Sequence, residues 1–323
     1  MKVSIFCTAY NHEKYISQAL DSFLAQETDF DYEIIVTDDA STDSTPGILE
    51  EYAQNYPEKI RWFHQEKNLF SQGGINMIYE TVMYPNARGQ YIAFCEGDDY
   101  WCDPHKLQLQ VDYLDANPDC SACVHNSWYH YCESNRADEL LVPESEDKDI
   151  SFGKIIQGLN NAFHTSSIMA RKEFIVNTTD FEETAAKYGF LDYPWAINLA
   201  LNGRVHFIDK PMSVYRVNSI AESWRSGYDY NYGKKTGFVE GEIAMMKTLL
   251  PHLEGDEKEL TEKELLKREY ELNYLEGKAK ELINKKYKSI YKNEPVAFKV
   301  KTMLKVAFPH LHEKYRKKQG YTK

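Results

Sequence analysis

The 323-residue chain has no run of 18 or more apolar residues, which argues against a membrane-spanning helix. It has no surplus of positive charge either. Its 38 Lys and Arg stand against 50 Asp and Glu, a net of −12, which argues against nucleic acid as a general partner. No glycine-rich phosphate loop is present, neither G-x-G-x-x-G after the first strand nor G-x-x-x-x-G-K-[ST] anywhere, so Rossmann dehydrogenase and P-loop readings are disfavoured. The stretch Met1 to Tyr10 lacks the long apolar core and small-residue cleavage site of a secretory signal and reads as a buried strand. A cytoplasmic location is therefore expected, with all six cysteines as reduced thiols. Cys120-Ser121-Ala122-Cys123, with His125, His130 and Cys132 nearby, lacks the second C-x₂-C pair of a zinc site, and buried thiols account for it better.

The composition that is present, 42% hydrophobic and 27% charged residues, is that of a folded globular protein. The first half alternates short apolar runs with helical periods. Val3 to Thr8, Tyr32 to Thr37, Ile60 to His64 and Tyr91 to Cys95 read as buried strands. Between them, Ile16, Ala19, Leu20, Phe23 and Leu24 share a helical face. Ser44 is placed to cap a helix through Ile48, Leu49 and Tyr52. Gly73 and Gly74 precede a helix through Ile78 and Val82, and Pro104 opens one through Leu107, Val111 and Leu114. This alternation predicts an α/β fold with a mostly parallel central sheet flanked by helices. Ser121 to Met169 is less regular, and Arg136 to Asp149 reads as an exposed loop. Glu254 to Lys288, rich in Glu, Lys and Leu, predicts a helical C-terminal region.

In an open α/β sheet, ligands bind beyond the carboxyl ends of the strands. The first strand ends in Thr8-Ala9-Tyr10-Asn11, the second in Asp38-Asp39-Ala40-Ser41-Thr42-Asp43, and the fourth in Glu96-Gly97-Asp98-Asp99-Tyr100-Trp101. Helix capping accounts for one acid per loop, not for paired acids on two strand ends. Close like charges repel unless a cation or donor-rich ligand lies between them, and hard oxygen donors suit Mg²⁺ or Mn²⁺ bound with substrate phosphates.

These three segments, in order, resemble the motifs of family 2 glycosyltransferases, over roughly residues 1–220. The resemblance implies a GT-A type domain over 1–220, with 221–323 as a helical region. It also implies a nucleotide-sugar donor, with a UDP-sugar favoured. By the same resemblance Thr8, Tyr10 and Asp39 line the nucleoside pocket, with Asp38 as second candidate for the base contact. Glu96, Asp98 and Asp99 stand for the family's acidic motif, with Asp98 and Asp99 on the divalent ion and Glu96 in place of the more usual Asp. Asn68 and Gly73-Gly74-Ile75-Asn76 resemble the segment near the donor. Arg216, with Asn218, falls where the family has a diphosphate contact. Asp192, in Gly189-Phe190-Leu191-Asp192-Tyr193-Pro194-Trp195, matches the catalytic base, against the competing reading of a plain helix cap; Glu182 and Glu183 are its rivals. His164-Thr165-Ser166-Ser167-Ile168-Met169 resembles a strand beside the acceptor, and Trp224 and Tyr228 are candidates for a flap over the donor. The implied reaction is an inverting, metal-dependent transfer of a sugar to a glycan or lipid-linked acceptor hydroxyl, in cell-surface polysaccharide or glycolipid synthesis. The alternatives are a catalytically inert sugar-nucleotide-binding subunit and a sugar-phosphate nucleotidyltransferase.

Charge is unevenly spread. From Glu281 to Lys323, 12 Lys and Arg face only Glu281, Glu294 and Glu313, leaving the other residues strongly acidic. The spacing from Phe298 to Phe308 is compatible with an amphipathic helix whose lysines flank an apolar face, and two partners are open to it: an anionic surface such as the inner face of the cell membrane, or the acidic body of the chain itself.

Overall fold

Parallel strands buried on both faces require near-continuous apolar runs, and the N-terminal third supplies them. In the computed structural model, which describes residues 1–132, 136–143, 146–158, 162–217 and 232–309, strands β1 (Val3–Ala9), β2 (Tyr32–Asp38), β3 (Ile60–His64) and β4 (Tyr91–Phe94) stand in the order β3-β2-β1-β4. All three of those pairings are parallel. Their register brings Ala9 beside Asp38 and Phe6 beside Phe94, so the carboxyl ends of β1, β2 and β4 open on the same side. Helices α1 (Ile16–Leu24) and α2 (Thr45–Asn55) cover the sheet, burying Ile16, Ala19, Leu20, Phe23 and Leu49 against Val3, Ile5, Ile34 and Val36. Between β3 and β4 run α3 (Leu69–Gly73), α4 (Ile75–Ile78), a π-helical turn Tyr79–Met83 and α5 (Tyr84–Asn86).

Beyond β4 the order continues with β9 (Met169–Arg171), β6 (Cys120–Tyr131), β10 (Arg204–Val217) and β5 (Tyr100–Trp101). Short β5 (Tyr100–Trp101) leads to α6 (Lys106–Ala116) and then to β6 (Cys120–Tyr131). After β6 come β7 (Glu139–Leu140), β8 (Lys148–Ile150), α7 (Phe152–Ile155) and β9 (Met169–Arg171). Helices α8 (Glu173–Val176), α9 (Asp180–Ala186) and α10 (Asp192–Asn202) follow, before β10 (Arg204–Val217). The two longest strands, β6 and β10, pair in parallel. Every antiparallel pairing involves one of the short strands β5, β7, β8 or β9. The result is the expected mixed α/β architecture.

Four local expectations are corrected. The Ser44 side chain makes no capping bond; Asp43 Oδ1 accepts the Thr45 amide at 2.9 Å instead, and Glu13 Oε2 accepts the Ser44 amide at 3.0 Å. Arg136 to Asp149 contributes two short strands, β7 and β8, where a loop was expected. The irregular reading of Ser121 to Met169 missed β6. Residues Thr165–Ser167 form a 3₁₀ turn, with β9 beginning only at Met169. There the His164 ring accepts the Ser166 amide, and Ser167 Oγ donates to the His164 carbonyl at 2.6 Å, so local side-chain bonds replace a strand ladder.

The chain divides into two units, Met1–Ser223 and Trp224–Lys323. The second is helical, with α11 (Tyr232–Leu249), α12 (Gly255–Leu275), α13 (Ala279–Leu282), α14 (Lys288–Asn293) and α15 (Val296–Ala307). Val239 and Ile243 of α11 meet Leu275 of α12, and Tyr270, Leu282 and Tyr287 form a second small core. Asn218, Trp224, Tyr228 and the basic tail beyond Pro309 lie outside the described residues.

Candidate active site

The loops after β1 and β2 are clasped together. Asn11 (φ 55°) and Ala40 (φ 62°) both adopt the left-handed conformation that non-glycine residues avoid, a strain that recurs at binding sites. Side chains hold that geometry: Asn11 donates its amide to Ser41 Oγ at 2.8 Å, and Asn11 Oδ1 accepts the Thr42 amide at 2.8 Å. The loop after β4 is drawn onto the end of β1, because the Gly97 amide donates to the Thr8 carbonyl at 2.9 Å. A Cβ at Gly97 would stand 2.8 Å from Ile16 Cδ1 and 2.9 Å from His12 Nδ1, so any larger residue would have to displace both side chains. Thr8, half-buried like Tyr10, therefore borders the 96–99 loop.

The acids at the end of β2 are held by protein donors. Asp38 is buried, with Oδ2 lying 2.7 Å from His64 Nδ1 and Oδ1 without a hydrogen-bond partner. Asp39 accepts the Leu69 and Phe70 amides at 2.6 and 3.1 Å. Burial nevertheless lifts its proton affinity above that of an ordinary carboxylate. Asn68 caps α3 through the Ser71 amide, and its Nδ2 donates to the Asp39 carbonyl at 3.0 Å. Asp39 and Asn68 thus hold the start of α3 against the end of β2.

The acids at the end of β4 face one another. Glu96 is pushed up to about 7, first by burial, then by the charge of Asp98, with a smaller contribution from Asp192. Its Oε2 is buried and has no hydrogen-bond partner. Asp99 is pushed well above its ordinary value by burial and by the charges of Asp98 and Glu96. It accepts the Arg216 amide at 2.9 Å, and its Oδ2 lies 3.9 Å from His164 Nδ1. The Arg216 guanidinium donates to the Asp98 carbonyl and to Gln18 Oε1, and lies over the rings of Tyr15 and Tyr100, with its carbon 4.9 and 4.5 Å from their centroids. Gln18, Tyr15 and Tyr100 were not singled out from the sequence. Gln18 projects from α1, one helical turn after Tyr15, and that spacing was the available signal.

Asp192 is the first residue of α10, one position inside the helix rather than before it, and the N-cap residue Leu191 makes no side-chain cap. Asp192 Oδ1 accepts the Tyr193 amide at 2.9 Å. Burial raises its proton affinity, against the Tyr193 amide and the Thr165 hydroxyl, which lower it. The rival Glu182 is committed elsewhere: its Oε2 takes the Thr179 amide and hydroxyl at 2.6 and 2.8 Å in a capping box on α9. Thr165 is buried, and the Ser166 hydroxyl donates to Ser213 at 2.9 Å. The His164 ring packs on Tyr215, with centroids 4.2 Å apart. Asp192, Glu96, Asp98, Asp99, Arg216 and His164 thus converge, with Thr165 and Ser166 on the adjoining turn. Among the described residues, no three Asp, Glu, His or Cys side chains gather closely enough to hold a metal ion unaided.

A sequence profile described as Glycosyl transferase family 2 matches residues 4–180, more than half of the chain. The chain belongs to this family. The family match ends before Asp192 and Arg216, so their placement rests on the structure of this chain. An uncharacterized protein of Mycobacterium tuberculosis is 36% identical over 226 residues, covering 70% of this chain and 61% of the relative. The chain therefore spans under two thirds of that relative's length. An uncharacterized glycosyltransferase of Nostoc is 37% identical over 117 residues, 36% of this chain and 34% of that protein. Among solved structures, TarS of Staphylococcus aureus (residues 1–349) superimposes with a TM-score of 0.61 at 21% identity, covering 86% of this chain and 74% of that one. The mannosyltransferase PcManGT of Pyrobaculum calidifontis gives 0.54 at 15% identity, covering 99% and 84%. At these identities the structural likenesses speak for the fold, which is GT-A-like.

Proposed function

We propose that residues 1–220 form an inverting, divalent-metal-dependent glycosyltransferase domain that moves a sugar from a nucleotide donor, a UDP-sugar in preference, to a hydroxyl of a glycan or lipid-linked acceptor. The observation that carries this reading is the cluster of desolvated carboxylates at the end of β4, with the buried, unpartnered Glu96 Oε2 and Asp192 in electrostatic reach. Mutually repelling acids suit a cation, and the donors are hard oxygens of the kind Mn²⁺ or Mg²⁺ takes; since no three of the described acids or other ligand side chains gather closely enough to hold the ion, phosphate oxygens and water would have to complete its shell. Asp98 and Asp99 would hold the ion, which when bound offsets the charge on the departing diphosphate. TarS has been crystallised with UDP and with UDP-GlcNAc, and PcManGT with GDP-Man and Mn²⁺, which supports a nucleotide-sugar donor here.

In this reading Thr8, Tyr10 and Asp39, with Asp38 behind them, form the nucleoside side of the pocket, and Asn68 keeps Asp39 in place. Arg216 orients the 98–99 backbone and lends positive charge toward the diphosphate. Asp192 takes the proton of the acceptor hydroxyl as its oxygen bonds to the anomeric carbon and the carbon–diphosphate bond breaks on the opposite face. Its raised proton affinity moves it toward the operating pH, where a general base works best. His164, Thr165 and Ser166 flank the acceptor side.

A thermal-shift panel of nucleoside diphosphates with and without Mn²⁺ tests the reading, since a ligand of the native state raises the melting point. UDP with Mn²⁺ is expected to raise it, and UDP without the metal to raise it much less. Equal shifts with and without Mn²⁺, or no shift with any diphosphate, would contradict it.

A further inference from the structure

Helix α15 (Val296–Ala307) is turned inside out relative to an ordinary surface helix. Its polar Thr302 is 3% exposed, while Val296 is 75% exposed and Val300, Met303 and Leu304 are each more than half exposed, as is Phe308 just after the helix. At 100° per residue, Val296, Val300, Met303, Leu304 and Ala307 fall on one stripe, and Phe298, Thr302 and Val306 on the other side. Phe298 packs toward Tyr274, with centroids 5.4 Å apart, which fixes which side faces inward. Elsewhere among the described residues, exposed large apolar side chains are scattered; here five fall within 13 consecutive positions. A contiguous apolar face of this kind is the mark of a docking surface.

The charge around it says what docks. Lys301 is exposed at one edge of the stripe, and Lys299 borders the other. Lys305 and Val306 of the same helix line a groove of about 420 Å³ with Lys280, Glu281 and Lys278, the last paired with Glu276 at 2.7 Å. From Lys285 to Pro309 the sequence holds seven lysines and one acid, Glu294. A second copy would press like-charged rims together, which is unfavourable. An anionic bilayer instead offers hydrocarbon to the stripe and phosphate to the lysines, the arrangement of helices that lie in the headgroup boundary.

We propose that α15 is a surface for anionic phospholipid bilayers, with Val296, Val300, Met303 and Leu304 entering the acyl boundary and Lys299 and Lys301 at its edges meeting headgroup phosphates. The test uses the full chain and co-sedimentation with vesicles of phosphatidylcholine alone or mixed with phosphatidylglycerol; it needs no turnover, so it stands apart from the enzymatic reading. The protein is expected to pellet with the mixed vesicles and stay in solution with the neutral ones. Replacing the exposed pair, Val300→Ser with Met303→Ser, should weaken pelleting at least tenfold with unchanged circular dichroism. Lys301→Gln should weaken it about fivefold at low salt, and less at high salt. Equal pelleting with neutral vesicles, no pelleting at all, or wild-type pelleting by the serine pair would overturn the proposal. So would a dimer in sedimentation equilibrium that the serine pair dissociates, since the occupant would then be a second copy.

Discussion

The two ends of the same sheet treat buried acids in opposite ways. At the amino end Glu33, near the start of β2, is fully buried. Burial works against its charge, but hydrogen bonds from Arg88 and Ser4 outweigh it and hold Glu33 below its ordinary value, with Arg61 at 3.2 Å as a further cation. At the carboxyl end of β4, Asp99 is also buried and Glu96 half-buried, yet desolvation and neighbouring acids leave both raised. An arginine is at hand, but the Arg216 guanidinium goes to a carbonyl and to Gln18. Neutralising an acid at one end while crowding acids together at the other supports the proposal that positive charge is received at the carboxyl end.

The sharpest way to break this contrast is through the acid assigned to the proton. Asp192→Asn should retain donor affinity, read by titration calorimetry, while transfer falls 10²-fold or more, the scale of general-base loss. Transfer equal to wild type would reduce Asp192 to a residue of the helix start. Next in size, Glu33→Gln should lower stability by about 1–3 kcal/mol, read from urea unfolding, with little effect on turnover of the folded fraction. A large loss of turnover at unchanged stability would mean the two ends are not functionally distinct. The smallest effect concerns Glu182, pushed up to about 7 by burial from an ordinary value of 4.5. Between those pH values the native state holds more protons than the unfolded one, so this group's contribution declines as pH rises from about 4.5 through 7. Glu182→Gln should flatten that part of the melting-temperature profile and leave donor affinity alone.

Much of this was legible in the sequence because buried parallel strands leave an unmistakable trace. Val3 to Thr8 and Tyr32 to Thr37 are nearly unbroken apolar or β-branched runs, and the acids that end β2 and β4 follow directly. What stayed hidden were strands whose buried faces are polar. In β6, Ser121, His125, Asn126 and Ser127 are all buried, paired with Leu199, the Asn126 carbonyl, Val142 and Ser213, so no alternation marked a strand. In β10 the ladder shifts register on both sides of Pro211, an irregularity that interrupts the strand pattern. The Thr165–Ser167 turn escaped notice because serine and threonine bond locally as readily as they line a strand. In the site, the strand-end acids were legible, whereas the partners of Arg216 depend on contacts from residue 18 to residue 216 that no local pattern encodes.

The central claim is that the β4-end acids, and not those of β2, take up a divalent cation together with a diphosphate. Free Mn²⁺ measured by electron paramagnetic resonance, as UDP is added, tests it most directly in wild type and in Asp98→Ala. Wild type is expected to remove Mn²⁺ from solution in step with UDP, and Asp98→Ala to lose that uptake while keeping its circular dichroism spectrum. Uptake by Asp98→Ala equal to that of wild type would contradict the account.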